Sequence, residues 1–309
     1  MAVDNQARGV ARGPDEAAGR PASARRSGRE TAEMILAKYG VLIAFVVMIV
    51  VFSLARSGSF PTWENAKSIL TAAAPMFVIA GGLTVILVMQ DFDLSFGAMI
   101  GLAAGAAVAL MANDGWSWPM ALIAALLFGI GAGAVNGFII SYLGGPSFII
   151  TLAMGTVLTG VEFALTDQKT IFSGVAQGYT DIGQNSFLGL NNMVWIAAVT
   201  AVTLWALLDR TEVGRYMYAI GGNPEAARLA GIRTRFLRLL GFVVVGLAAA
   251  VVGVLISSQS GAYSPSPGLS FLLPAFAAAS SGRPSSGRAS STSRGQSSGC
   301  CSWASSRPG

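Results

Sequence analysis

Residues 239–257 read LLGFVVVGLAAAVVGVLIS. No charged side chain interrupts the run, and its only polar residue is the closing serine. A membrane-crossing helix needs about 20 mostly apolar residues. The run lacks the period-two alternation of a half-buried strand. In hydrocarbon every backbone N–H and C=O must bond within the segment, so such a run crosses as a helix. Working outward, comparable blocks lie at 37–55, 69–89, 96–113, 118–142, 147–166 and 192–208, and an eighth begins near 270–279. The predicted fold class is all-α, a polytopic transmembrane helical bundle with about eight helices present.

Charge placement gives the topology. Of 309 residues 53% are hydrophobic and 11% charged, against about 25% charged in soluble domains. The 20 Lys and Arg cluster in residues 1–38, 209–238 and beyond 282; only Arg56, Lys67 and Lys169 lie elsewhere. Placing the N-terminal arm inside the cell puts loops 56–68, 114–117 and 167–191 outside. Loops 90–95, 143–146 and 209–238 then fall inside. The second basic cluster lands on the same side as the first, as the positive-inside rule requires. The expected localisation is therefore multi-pass in the plasma membrane, with a cytoplasmic N-terminus. The pI near 9.6 follows from these flanking loops; no aromatic interleaving suggests nucleic acid.

Residues 1–36 are rich in Arg, Ala, Gly and Ser without apolar period, which predicts a disordered basic cytoplasmic arm. Arg25-Arg26 raises a secretion-signal reading. Glu30 and Glu33 follow it, however, and no small-residue cleavage site closes the apolar stretch beyond. Residues 37–279 form the predicted transmembrane domain. Within it Gly101/Gly105, Gly129/Gly133 and Gly133/Gly137 stand in the spacing that lets helix backbones approach closely, and they read as packing surfaces. Trp116, Trp118, Tyr142 and Trp195 fall near predicted helix ends, which suits an interfacial aromatic belt.

Histidine is absent and cysteine occurs only at Cys300 and Cys301. The usual zinc sites, a Ser-His-Asp triad and a His-ligated haem all lack their ligands. No catalytic residue, metal or cofactor is expected. No Gly-rich phosphate loop precedes Lys67-Ser68 or Lys169-Thr170, so ATP hydrolysis, if it drives this protein, takes place in another chain.

Loop 209–238 holds Gly222-Asn223-Pro224-Glu225-Ala226-Ala227-Arg228-Leu229-Ala230-Gly231. Asn223 suits an N-cap and Pro224 the first helical position. Glu225 complements the positive end of the helix dipole, and Gly231 suits a left-handed C′ residue. The spacing predicts a self-contained helix of about two turns. So short a helix is marginal without something to pack on. That leaves two readings, a docking surface for a soluble partner or a helix lying on the protein's own surface.

The run GRYMYAIGGNPEAARLAGI (Gly214 to Ile232) resembles the coupling loop of ABC importer permeases of the ribose/xylose/arabinose type. Glu225-Ala226-Ala227 followed by Gly231 matches the start of the wider importer pattern. Its distal Ile-x-Leu-Pro is missing, since Leu239-Leu240-Gly241 stands there. Asp91-Phe92-Asp93-Leu94-Ser95-Phe96-Gly97 resembles the family's IDLSxG segment, with Phe92 in place of Ile. Gly145-Pro146-Ser147-Phe148-Ile149-Ile150-Thr151-Leu152 resembles PxFIxTL. The resemblance covers residues 38–279. By fold-level analogy it implies a bundle of about ten helices. It also implies a homodimer with a second permease copy, an ABC ATPase subunit, an extracytoplasmic sugar-binding protein and a monosaccharide substrate. The Gly222–Gly231 residues would then be the ATPase-coupling loop.

Asp91, Asp93 and Glu162 are the acidic residues nearest membrane depth. Charges there are costly and often functional, yet capping is favoured over a proton or cation path. Asp93 can cap the helix starting near Leu94, Asp91 lies in a short connection, and Glu162 falls near an outer helix end. Ser95, Asn136, Pro146, Thr151 and Thr156 are the other polar or helix-start positions that could face a pathway. The competing readings are an ion-coupled secondary transporter of a small polar solute, which needs polar broken helices at the bilayer centre, and a membrane-embedded enzyme.

From Ser280 the composition changes: twelve of the last 30 residues are Ser, four are Arg, and none is Leu, Ile or Val. Shifting the frame by one nucleotide turns TCN serine codons into NTC, which encode Phe, Leu, Ile or Val. Residues 280–309 are therefore expected to be an aberrant, frameshifted tail that replaces the final helices.

Overall fold

The computed structural model describes residues 28–281. Most of the predicted basic arm, and the tail from residue 282, lie outside the described residues. Two units are distinguished, Met1–Ala66 and Lys67–Gly309.

The first unit contains α1 (Gly28–Ala55). It begins before the apolar run because Glu30, Glu33, Met34 and Ala37 are good helix formers that extend it. Phe52, in the last turn of α1, stacks on Phe60 beyond it with ring centroids 5.5 Å apart. Thr62 then opens α2 (Trp63–Val88) by accepting the Asn65 N–H at 3.2 Å.

The second unit continues through α2 into α3 (Phe96–Ala112), α4 (Trp118–Tyr142), α5 (Ser147–Thr166) and α6 (Gln177–Gln184). A two-residue hairpin, β1 (Ser186–Phe187) and β2 (Leu190–Asn191), turns through Leu188 and Gly189, both at positive φ. Then come α7 (Asn192–Arg210), α8 (Glu212–Gly222), α9 (Pro224–Leu229), α10 (Thr234–Ser260), a 3₁₀ turn at Leu269–Phe271 and α11 (Leu272–Ser281). The fold class is all-α and polytopic. Among the described residues, five helices (α2, α4, α5, α7 and α10) are long and apolar enough to cross a membrane, and three shorter apolar helices accompany them.

α3 is the axis of this unit. Every residue in it except Leu110 and Ala112 is buried, as expected for a helix that is apolar on all sides. α4, α5 and α10 surround it. The predicted glycine row of α4 is the face on which α10 lies. A Cβ on Gly133 would strike the Phe242 carbonyl, and one on Gly137 would meet the Leu239 backbone at 2.8 Å. Small residues thus line the α4–α10 contact, while many large apolar side chains on the outer faces point outward. Ile123, Leu127 and Phe138 of α4, Phe148 and Ile149 of α5, and Val199 and Val202 of α7 are all exposed. A water-soluble domain does not expose so much apolar surface; close backbone packing with apolar surroundings is what a membrane bundle needs.

Both long polar loops are more structured than the sequence predicts. In 167–191 the outlier is Tyr179 of α6, which is fully buried with its hydroxyl 2.6 Å from Ser257 Oγ on α10. Burial pushes its phenol well above the usual value, so it stays neutral. In 209–238, α8 precedes the expected short helix. α10 also starts at Thr234, ahead of the apolar run, because Arg235, Leu237 and Arg238 continue the helical path.

Candidate functional site

Two groups of residues singled out by sequence can now be placed, and a third element joins them. The first group is the 222–231 segment. Asn223 is extended (φ −159°, ψ 101°) and its Oδ1 accepts the Ala226 N–H at 3.1 Å. Pro224 and Glu225 occupy the first turn. The helix closes with a pair of reversed bonds: Gly231 N–H to Arg228 O at 3.0 Å and Ile232 N–H to Ala227 O at 3.1 Å. Gly231 sits at φ +83°. This is a Schellman end, for which a left-handed residue is required. The helix is shorter than predicted, six residues, and is capped at both ends by its own chain.

Its exposure is the telling property. Ala227 is buried, whereas Gly222, Asn223, Pro224, Glu225, Ala226, Arg228, Leu229 and Gly231 are exposed. Leu229 is 84% exposed. The Glu225–Arg228 ion pair, at 3.7 Å, is largely exposed and adds little.

The second group surrounds the 91–95 connection between α2 and α3. Asp91, Asp93, Ser95, Asn136 and Thr151 are buried; Pro146 is exposed at the start of α5. Asp93 Oδ1 accepts the Ser95 N–H at 2.7 Å and the Ser95 hydroxyl as well. Ser95 Oγ in turn accepts from Asn136 Nδ2 at 2.8 Å. Thr151 Oγ1 accepts the Leu94 N–H at 3.0 Å, and Ser147 Oγ accepts the Phe92 N–H at 3.2 Å. These side chains satisfy a non-helical stretch of backbone inside the bundle, the arrangement such a stretch needs at membrane depth. Two oxygens here, Asp93 Oδ2 and Asn136 Oδ1, are buried without a hydrogen-bond partner.

Asp91 does something the sequence does not announce. Its carboxylate takes both Nε (2.7 Å) and Nη2 (2.6 Å) of Arg238 on α10. Such two-pronged pairs are the strong, geometrically specific ones. Next to it, Gln90 Nε2 donates to Gly221 O at 2.7 Å. Arg238, Gln90 and Ser147 are absent from the sequence-level candidates. Arg238 belongs to a basic cluster that was read as topology alone.

Glu162 is not a helix cap. It lies within α5, 1% exposed, and its Oε1 accepts from the Tyr263 hydroxyl (2.7 Å) and the Ser266 N–H (2.8 Å). Gly101 leaves space for the carboxylate, since a Cβ there would come within 2.5 Å of Oε2. Thr156 is exposed on α5 and spends its hydroxyl on Leu152 O. A groove of ≈ 430 Å³ between α2 and α7 is lined by Phe77, Gly81, Leu204, Trp205 and Ala278 among others. Its lining is mostly apolar, with Thr84, Asp209 and Tyr218 among its polar members; the Thr84 hydroxyl already bonds Ala80 O at 2.8 Å.

Comparison with known proteins gives the context. Residues 65–282 match the family model described as branched-chain amino acid transport system / permease component. The ribose import permease protein RbsC of Haemophilus influenzae is 30% identical over 241 residues, covering 76% of this chain and 73% of that protein. RbsC of Escherichia coli K12 is 32% identical over 242 residues, covering 77% and 74%. The autoinducer 2 import system permease protein LsrC of Salmonella paratyphi B is 31% identical over 216 residues, covering 70% of this chain and 62% of that protein. No solved structure matches the chain.

Proposed function

We propose that this chain, which belongs to the branched-chain amino acid transport system / permease component family, forms the translocation pathway of an ATP-driven importer of a monosaccharide. As a permease component it is a multi-pass membrane protein and not an enzyme. Residues 37–279 are its permease domain. Its partners are an ABC ATPase, an extracytoplasmic sugar-binding protein and a second copy of itself. The solute is a pentose, a hexose or a related small polyhydroxylated compound. Similarity to permeases named for ribose and for autoinducer 2 supports that class.

The observation that carries the ATPase reading is α9. A six-residue helix that closes its own ends, buries one methyl group and exposes Leu229 has no reason of its own to persist in water. A soluble partner that covers it supplies the reason. ATP-driven closure of that partner would push on residues 223–231, and the bundle would answer by alternating access.

Two substitutions test the docking. Glu225→Lys reverses the charge at the positive end of the helix. Gly231→Val places a β-branched residue at φ +83°. Both are expected to lower the amount of co-purifying ATPase at least fivefold, with the detergent-solubilised permease eluting unchanged. Undiminished co-purification in both variants would overturn the reading. Sidedness is tested separately with a single cysteine at Ala226 in a chain carrying serine at 300 and 301. A membrane-impermeant thiol reagent is expected to reach it only from the face that also exposes an N-terminal tag. Labelling from the opposite face would contradict the proposed orientation, with its cytoplasmic N-terminus.

A further inference from the structure

The two flanks of the exposed α9 helix converge on adjacent residues. Upstream, in the last turn of α8, the Gly221 carbonyl accepts from Gln90 Nε2 at 2.7 Å. Gly221 is buried so tightly against the end of α2 that a Cβ there would collide with the Val88 carbonyl. Downstream, α10 begins at Thr234, and one turn later Arg238 grips Asp91 with two bonds. Gln90 holds a left-handed backbone (φ 63°), which a non-glycine residue keeps only where its surroundings enforce it.

From Gln90 and Asp91 the bonds continue inward. The next four residues are tied to α4 through Ser95 and Asn136, and to α5 through Ser147 and Thr151. The 90–95 connection therefore touches four elements of the bundle with directional bonds.

We propose that Gln90 and the Asp91–Arg238 pair are positioning residues that transmit displacement of the α8–α9 segment to the start of α5. The proposal rests on the docking reading above and adds the route. α9 itself is seated on the unit by Ala227 alone, so its own packing is a poor conductor of force. Its flanks are not: one makes a backbone-to-backbone contact, and the other a buried ion pair whose carboxylate is 6% exposed. Packed interfaces that move as discrete units carry coupling in this way.

The test needs no knowledge of the transported solute. In the chain with serine at 300 and 301, an environment-sensitive fluorophore is attached at Ala226→Cys on α9 or, separately, at Phe148→Cys on the exposed face of α5. The complex with its ATPase is reconstituted in lipid nanodiscs, and Mg-ATP with vanadate is added. Both labels are expected to respond in the otherwise unsubstituted chain. Arg238→Met is expected to reduce the response at 148 at least fivefold and to leave that at 226 within twofold. Arg238→Lys keeps the charge and is expected to retain at least half of the response at 148. Gln90→Met, which loses the amide bond to Gly221, is expected to act like Arg238→Met, and carries the test alone if Arg238→Met fails to assemble. A response at 148 that survives within twofold in the assembled variants overturns the proposal. So does a parallel loss at both labels, the mark of a merely structural role. A flat signal at 226 in the unsubstituted complex would instead overturn the docking reading, and this route with it.

Discussion

Gly246→Val is expected to destabilise the bundle by about 3 kcal/mol, the upper end of what overpacking a close contact costs. The reason is reciprocal. A Cβ built on Gly246 would collide with the Gly129 carbonyl, and one built on Gly129 would collide with the Gly246 carbonyl and meet Ala250 Cβ at 2.5 Å. The obstacles are backbone atoms on facing helices, with no flexible side chain to swing away. Relief requires α4 and α10 to separate, and that loosens the row through Gly133 and Gly137 on which α10 also lies. Gly131→Val on the same helix is the control. Nothing lies within 4 Å of a Cβ there, so its cost should stay within about 0.5 kcal/mol. Thermal unfolding of the detergent-solubilised protein should show a large drop in midpoint for Gly246→Val and little change for Gly131→Val. Similar midpoints would mean that the α4–α10 contact is looser than described.

Glu162→Leu is expected to cost about 2 kcal/mol, from one buried and one half-buried donor that lose their acceptor at roughly 1–3 kcal/mol each. The donors are the Tyr263 hydroxyl and the Ser266 N–H, both of which bond Oε1. Tyr263 keeps a long contact of 3.4 Å to Thr166 Oγ1, so part of its loss is recovered. The Ser266 N–H also lies beside the Tyr263 hydroxyl oxygen, a weaker acceptor than the carboxylate. Glu162→Gln retains a carbonyl oxygen that can accept from both donors and should cost less than about 1 kcal/mol. The same unfolding measurement separates them, and equal losses in the two variants would show that charge, not acceptance, is what the site requires. The bonds link the middle of the chain to the 261–268 turn, so local loosening should appear first as faster amide exchange around Ile171 and Tyr263, whose backbones bond each other at 2.9 and 3.0 Å.

What the sequence could reveal followed from how local each signal is. Apolar runs identify the spanning helices because their requirement, about 20 apolar residues in a row, is written into consecutive positions. Asn223, Pro224 and Gly231 foretell both ends of α9 because caps act within a few residues. The glycine row of α4 was legible as a packing surface, though not its partner. Tyr179 was invisible as a core residue. It sits in a polar loop helix, and only the groove beside Ser257 makes it one. Asp91 and Arg238 stand 147 residues apart, and nothing near either one shows that they pair. Arg238 in particular carries two meanings at once: it obeys the positive-inside rule, and it neutralises a buried carboxylate. The first meaning is readable from composition, and it hid the second. Glu162 misled in the same way, since nearness to a helix end suggested a cap whereas its partners come from residues about a hundred positions later.

The seating of α9 on a single methyl group has a mechanical corollary. One buried methyl is worth about 0.8 kcal/mol, close to thermal energy, while the bonds that close the helix on itself are internal and travel with it. The segment is therefore held in place mainly by its anchored flanks, and so short a helix opens easily between them. In the lone permease its amides should exchange by that local opening, and a tight-fitting cover would slow all of them together.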